Sequence, residues 1–334
     1  MMLHPEQNEG TMDTSLLLVV MPIYEDRESA CLLMKDLAKF CPTAPFIVAV
    51  EDGSLRNPLQ PSDIAAAGLE GEVIYLARNM GHQRAIATGL AYASLYHKPT
   101  AAVVMDSDGE DRPEAISALL ERLQQGNFDA VVAQRRRRSE SLQFRTFYIV
   151  YRFVFLLLTG RTIRFGNFTA LSGLAVKRLA SMQELWVHFA ASLMTSRLRV
   201  GAVPTDRGKR YAGKSTMNFF SLTLHGMRSM MVFAEDVLIR VGTFCALLAV
   251  GAIVLMFSTV ILKLAGIATP GWFSTASGIL LIILLQAGIL TFVTLMISGI
   301  VKSAPPITRA DLEHLIDRVE RTAVKVPKLL IGGH

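Results

Sequence analysis

Two carboxylates separated by one residue, Asp106 and Asp108, close the apolar run 101–105. Carboxylates at i and i+2 on an irregular turn can converge on one hard cation. Mg²⁺ typically takes one or two such carboxylates and completes its shell with substrate phosphates, and Mn²⁺ suits the same oxygen set. A cation held there would neutralise charge developing on a departing diphosphate. An Asp-x-Asp pair by itself is common on surface loops, so its weight depends on its surroundings. Three further polar clusters also follow apolar runs: Tyr24-Glu25-Asp26, Glu51-Asp52-Gly53-Ser54 and Arg78-Asn79. Asp52-Gly53 also reads as a simple turn. Four consecutive arginines, Arg135 to Arg138, follow a further apolar run. They read as a solvated charge run, above all at Arg136 and Arg137.

The elements that must position these clusters alternate. Short apolar runs at 15–21, 46–50, 73–76, 101–105 and 130–133 read as strands, and 29–40, 83–96 and 113–124 have helical spacing or length. Strands alternating with helices of ten or more residues mean βαβ units and a mainly parallel sheet covered on both faces. Ligands of such sheets bind beyond the carboxyl ends of the strands, which is where the polar clusters fall.

The 334 residues carry a net charge of +6, and 51% are hydrophobic against 19% charged. The mean hydropathy is +0.38 and the isoelectric point is near 9.3. A basic balance suits a partner bearing phosphate, whether a nucleotide, nucleic acid or an anionic lipid surface, without choosing among them. The three cysteines, Cys31, Cys41 and Cys245, show no metal-type pairing and no disulfide framework. Residues 1–14 lack a basic n-region and read as a flexible tail rather than a secretory signal. Residues 241–262 and 278–301 contain no charged side chain, and each is long enough to cross a bilayer. The connection 264–277 is also uncharged, whereas Arg228, Arg240, Lys302 and Arg309 flank the other ends. The positive-inside rule then puts the N-terminal domain and both termini in the cytoplasm, at the inner (plasma) membrane, with Lys263 snorkelling at the far interface. Residues 147–159 are too short to span and read either as a buried helix or as an interfacial one. Residues 217–240 read as amphipathic and juxtamembrane, and 307–323 as a polar helical tail. The expected division is a 1–14 tail, a 15–216 catalytic domain, a 217–240 juxtamembrane segment, a 241–301 pair of spans and a 302–334 cytosolic tail.

In their order along the chain, these clusters resemble family 2 glycosyltransferases of the GT-A fold, in particular those that load sugars onto polyprenyl phosphates. The matching pieces are Met21-Pro22-Ile23-Tyr24-Glu25, Val50-Glu51-Asp52-Gly53-Ser54, Arg78-Asn79-Met80-Gly81-His82-Gln83 and Met105 to Asp111 with Pro113-Glu114. Arg210-x-x-Gly213-x-Ser215 and two C-terminal spans complete the set. The resemblance implies a Rossmann-like α/β domain and a nucleotide pocket lined by Pro22, Tyr24, Glu25, Asp52, Ser54, Arg78, Asn79 and Gly81. It further implies a Mg²⁺ or Mn²⁺ held by Asp106, Asp108 and Glu110, and an Arg210 that clamps the diphosphate when its loop closes. Arg135, Arg145, Asn167 and Ser215 are implied to face the acceptor phosphate, and His82 reads as structural. The implied partners are a UDP- or GDP-sugar, a polyprenyl phosphate and the bilayer. The resemblance also admits a homo-oligomer and a flippase partner, and gives nucleic acid no role.

Two departures bear on the acceptor. Asn167 stands where many relatives carry an aspartate, and an amide cannot take a proton. A sugar hydroxyl acceptor would need a base, whereas a lipid phosphate is already anionic at neutral pH. The segment after Ser215 continues Thr216-Met217 rather than the commoner Lys-Tyr. The expectation is inverting transfer to a polyprenyl phosphate. The alternatives are a hydroxyl acceptor on the same fold, or a membrane scaffold whose transferase domain has decayed; a transporter would have little room for a pathway in two spans.

Overall fold

The computed structural model describes residues 16–135, 142–163, 165–212, 226–267, 269–302 and 308–323, with backbone alone for 135, 142–148 and 298–302. The described chain divides into two compact units. The first is drawn from Met1–Ser139, Arg164–Asn218 and Pro306–His334, the second from Glu140–Ile163 and Phe219–Pro305.

The first unit is built on an eight-stranded sheet: β1 (Leu17–Ile23), β2 (Phe46–Glu51), β3 (Glu70–Leu76), β4 (Ala101–Val104), β5 (Ala130–Arg135), β6 (Thr169–Ser172), β7 (Val200–Thr205) and β8 (Ile316–Arg321), in the order β7-β5-β6-β4-β1-β2-β3-β8. β1 pairs in parallel with β2 and β4, as do β2 with β3 and β5 with β7. Only β6 and β8 pair antiparallel to their neighbours. β1 and β2 are buried along their whole length, as the unbroken apolar runs require. Leu18, Val20, Val48 and Val50 face one way into a cluster shared with Ile86, Leu90 and Phe189. Leu17, Val19, Met21 and Ile47 alternate to the other face, against Leu33, Leu37 and Leu119. The helices supplying these layers are α1 (Arg27–Phe40), α2 (Pro61–Ala66), α3 (His82–Tyr92), α4 (Ala115–Gln125), α6 (Gly173–Ala180) and α7 (Phe189–Thr195). α3 lies so near the sheet that a Cβ on Gly89 would stand 2.6 Å from Val20 Cγ1.

The expected helical tail at 307–323 is helical only over α11 (Arg309–Leu315); Ile316–Arg321 turns back and joins the sheet as β8 beside β3. The segment expected as a separate cytosolic tail is thus part of the first unit. The anchor is Glu72, a buried carboxylate on β3 that meets His97 Nε2 at 3.0 Å and Arg321 Nε at 3.8 Å, while the Arg318 guanidinium lies 3.8 Å from the Tyr75 ring centroid. Burial pushes the Glu72 carboxyl up, but its bond with His97, the His97 and Arg321 charges and Tyr92 together hold it below its ordinary 4.5. A depressed carboxyl stabilises the fold above the unfolded-state value, and that contribution is lost as pH falls through the folded one. Glu72→Gln is therefore expected to lower stability by about 1–3 kcal/mol at neutral pH. The gap from wild type should shrink on acidification below about pH 4.5. Thermal unfolding at pH 7 and pH 4 measures both.

In the second unit, α9 (Ala234–Leu264) and α10 (Trp272–Lys302) pack on each other. Both are long and apolar enough to cross a membrane. At about 1.5 Å per residue, 31 residues exceed the ~30 Å hydrocarbon thickness. At the described contact, a Cβ on Gly242 would lie 3.0 Å from Thr294 Oγ1, and the small side chains Cys245, Ala252 and Ala287 are buried on these helices. That pattern lets helices approach closely in lipid. Glu235 and Asp236 open α9 and Lys263 closes it, each complementing the helix dipole.

α5 (Leu142–Thr159) also belongs to this second unit and not to the 15–216 domain expected from sequence. Its Phe155 ring meets Phe233 edge-on at 5.7 Å, and Tyr151 Oη lies 2.8 Å from Ser229 Oγ, in the helical stretch α8, described over 226–231. The buried-helix reading of 147–159 fails, because Ile149, Val150, Phe153, Leu156 and Leu157 are exposed on it.

Candidate active site

Parallel pairing sets where chemistry collects. The residues that follow β2, β3 and β4 all leave the same edge of the sheet, because these strands run alongside β1 in one direction. β6 runs the other way, so its start lies at that edge too, with Thr169 opposite Val104. This register brings Asn167, two residues before Thr169, beside Asp106, two residues after Val104. β7 ends level with β5, Thr205 opposite Arg135, and delivers residues 206–212 there as well.

The β2 and β3 loops are locked together by Asp52. Its Oδ1 accepts from Met80 N–H at 2.7 Å and its Oδ2 from Gly81 N–H at 2.9 Å. Burial pushes the Asp52 carboxyl up, and the two N–H groups oppose that shift. Gly53 adopts φ +74° with its Cα against the next loop; a Cβ there would stand 2.6 Å from Asn79 N, which no side-chain motion relieves. Glu25 and Ser54 serve the adjoining loop. Glu25 N–H donates to Ser54 Oγ at 2.7 Å, Glu25 Oε1 accepts from Leu55 and Arg56 N–H, and Ser54 Oγ donates to the buried Glu51. Pro22 is buried in β1 next to Val50, whereas Tyr24, Arg78 and Asn79 are exposed at the strand ends.

The Asp106 amide donates to Asp111 Oδ2 at 3.1 Å, which curls the turn around Ser107 and Asp108. Asp108 is nearly buried: its Oδ1 accepts from Glu110 N–H at 2.9 Å and its Oδ2 from Arg210 Nη2 at 2.5 Å. Burial raises the Asp108 carboxyl above its ordinary value, and the Asp106 and Glu110 charges add to the rise, against Glu110 N–H and Arg210.

Residues 206–211 form a strap over these carboxylates. Arg207 pairs with Glu110, Gly208 N–H donates to Glu110 O at 2.9 Å, and Tyr211 N–H donates to Asp108 O at 2.9 Å. The Tyr211 hydroxyl donates to Asp36 on α1, and its ring covers Gly109, whose φ is +86° and where a Cβ would fall 2.3 Å from the ring. A cavity of about 10 Å³, room for about one water, lies among Asp111, Gly166, Phe168, Thr205 and Arg207.

Of the residues singled out in the sequence, the structure gathers Asp52, Gly81, Asp106, Asp108, Glu110, Asn167 and Arg210 at this edge. The expected three-carboxylate metal set is not assembled: Glu110 is turned to Arg207, and among the described residues no three acidic, His or Cys side chains converge to hold a metal. Arg135 closes β5 at the same edge, with its side chain outside the described residues. Arg145 lies in α5 of the second unit, and Ser215 falls outside the described residues. His82, Gln83, Arg207, Asp111 and Tyr211 belong to the site and were not singled out for it. Their signal was adjacency: Asp111 closes the Asp106 motif, His82-Gln83 continue the Gly81 motif, and Arg207 and Tyr211 flank Arg210. His82 Nε2 lies 3.2 Å from Asp106 Oδ1.

A mainly parallel sheet carrying an acidic pair at its strand ends beneath an arginine strap defines a glycosyltransferase of the GT-A type. The Glycosyl transferase family 2 profile matches residues 18–185, half of the chain, and the chain belongs to that family. It is 25% identical over 298 residues to CsbB of Bacillus subtilis, a protein named as a glycosyltransferase, with 80% of this chain and 82% of that one covered. It is 30% identical over 128 residues to the undecaprenyl-phosphate 4-deoxy-4-formamido-L-arabinose transferase of Erwinia tasmaniensis, covering 37% of this chain and 38% of that one. A crystal structure of a mycobacterial protein shares the fold at a TM-score of 0.50 and 14% identity, over 67% of this chain and 75% of that one.

Proposed function

We propose that the enzyme transfers one sugar, with inversion, from a UDP- or GDP-sugar to a polyprenyl phosphate at the cytoplasmic leaflet. The observation that carries this reading is Asn167: the side chain laid against Asp106 is an amide, which cannot deprotonate an acceptor. A phosphate acceptor needs no deprotonation, since its oxygen is already anionic. That oxygen forms a bond to C1 of the sugar as the bond from C1 to the nucleotide diphosphate breaks, and the diphosphate leaves with the electron pair. A relative named as acting on undecaprenyl phosphate supports the acceptor class.

Asp106 and Asp108 fit a divalent cation. They are hard oxygen donors on one turn, close enough for the Asp106 charge to raise the Asp108 carboxyl. A pair is the complement Mg²⁺ or Mn²⁺ uses when substrate phosphates fill the remaining positions. Such a cation, when bound, supplies charge neutralisation at the leaving diphosphate. Arg210 adds a second source: its Nε is buried with no hydrogen-bond partner among the described residues, a donor suited to a phosphate oxygen. Two helices able to span a bilayer would keep the enzyme with an acceptor that never leaves the membrane, and the basic flanks support a cytoplasmic side for both termini.

The test assays the detergent-solubilised full-length chain with radiolabelled UDP- and GDP-sugars against undecaprenyl phosphate, diacylglycerol and oligosaccharide acceptors. The expected product is an acid-labile, chloroform-soluble glycosyl phosphate formed only with the polyprenyl phosphate. Label appearing in diacylglycerol or oligosaccharide instead assigns a hydroxyl acceptor.

A further inference from the structure

A buried amide outside the roles assigned so far reaches the donor site through one intermediary. Gln83, in the first turn of α3, is buried, and its Oε1 accepts from Phe189 N–H at the start of α7 at 2.7 Å. Its Nε2 donates to Asn167 Oδ1 at 3.3 Å. Asn167 Nδ2 then lies 2.9 Å from His82 Nε2 and donates to Asp106 Oδ1 at 3.4 Å.

The direction of this relay has a physical origin. A side-chain amide has an accepting and a donating end and must be oriented by its neighbours. A backbone N–H can only donate, so Phe189 forces the Gln83 oxygen toward itself. The Gln83 NH₂ must then face Asn167, which turns the Asn167 oxygen away from Asp106 and its NH₂ toward it. Each amide is set by the one before, from a main-chain group that cannot flip. A carboxylate at 167 would instead put a second negative charge beside Asp106.

We propose that Gln83 is a positioning residue for the donor site. Held by the Phe189 amide, it commits Asn167 to donate to Asp106 and so sets the orientation in which Asp106 meets the cation and diphosphate. The proposal rests on the donor-site reading only in taking Asp106 and Asp108 as that site. Partners that orient a metal-binding side chain typically matter by 10- to 100-fold in metal affinity or activity.

The experiment measures Mn²⁺ affinity by electron paramagnetic resonance, with and without UDP or GDP, on the full-length protein in detergent. Thermal unfolding is followed in parallel. Gln83→Glu keeps the acceptor for Phe189 N–H but loses the donor to Asn167; Asn167→Ala, at a half-buried position, removes the same bond to Asp106 without disturbing the core. Both are expected to weaken Mn²⁺ binding about 10- to 100-fold. Combining Gln83→Glu with Asn167→Ala is expected to be no weaker than Asn167→Ala alone, because Gln83 acts only through Asn167. A merely structural Gln83 would lower the unfolding temperature and leave affinity unchanged, and that result overturns the proposal. Additive losses in the double variant overturn it as well. Should wild type show no Mn²⁺ binding that Asp108→Asn abolishes, the donor-site reading fails and the positioning role with it. Binding that is sensitive to Asp108 but indifferent to Gln83 and Asn167 removes the positioning role alone.

Discussion

Asp108→Asn is expected to reduce sugar transfer by on the order of 10³-fold or more while the protein stays folded in the membrane. The amide oxygen still accepts from Glu110 N–H, so the turn that Asp108 Oδ1 organises is retained. What is lost is the negative charge that pairs with Arg210 and, with Asp106, would hold a divalent cation. The conservative change separates charge from shape, and Asp108→Ala, which removes both, should be no more active. Steady-state transfer is the measurement, with unfolding temperature as the control for folding. Turnover within tenfold of wild type in Asp108→Asn would place the chemistry elsewhere.

Arg210→Ala carries the second largest expected effect, about 10²–10³-fold in kcat/KM. Arg210 Nη2 sits on Asp108 at 2.5 Å while the buried Nε lacks a partner among the described residues. On the proposed reading, a guanidinium anchored through Nη2, with its buried Nε unspent among the described residues, would donate to an oxygen of the diphosphate. Arg210→Lys should recover only part of the loss, since a lysine offers one charged nitrogen where the fork presents several fixed donors. The test is product inhibition. The nucleoside diphosphate that inhibits wild type should weaken in both variants, and the corresponding nucleoside monophosphate should change little. An equal loss for both nucleotides would mean that Arg210 supports the strap rather than the distal phosphate.

The two predictions draw on different layers of information. Asp106 and Asp108 were recognisable in the sequence because a strand of apolar residues ends on them, and the strand itself was legible from that run. The same holds for β2, β3 and β5 and for helices α1, α3 and α4, whose length and spacing announce them. β6 and β8 were not legible. β6 reads Thr-Ala-Leu-Ser, without the unbroken apolar run that marks the equally short β4, and β8 reads Ile-Asp-Arg-Val-Glu-Arg, whose polar residues suit an exposed edge as well as a polar helix. β8 is placed by its antiparallel pairing with β3 and by contacts such as Glu72 with Arg321 and Gly71 N–H with Thr322 Oγ1, which join residues about 250 positions apart.

The site divides in the same way. Residue types at strand ends gave the carboxylates and the Asp52-Gly53 turn, whereas Arg210, and Glu110 as a metal ligand, came from the family resemblance; the fold instead pairs Glu110 with Arg207, a residue delivered by β7.

From the sequence alone came the kind of chemistry and its address. Apolar runs of strand length specify a buried parallel sheet, polar clusters at their ends specify where ligands meet it, and two uncharged runs of over twenty residues specify helices long and apolar enough to cross a membrane. These are local properties of the chain, set by periodicity, length and charge. The tertiary structure alone decided which side chains face one another: antiparallel β6 setting Asn167 against Asp106, the strap bringing Arg207 and Arg210 to the acidic turn, and a Phe189 amide orienting Gln83 from 106 residues away. Those relations depend on register and on pairings between distant segments, and a hydrogen bond has a direction that no residue carries until its partner is in place.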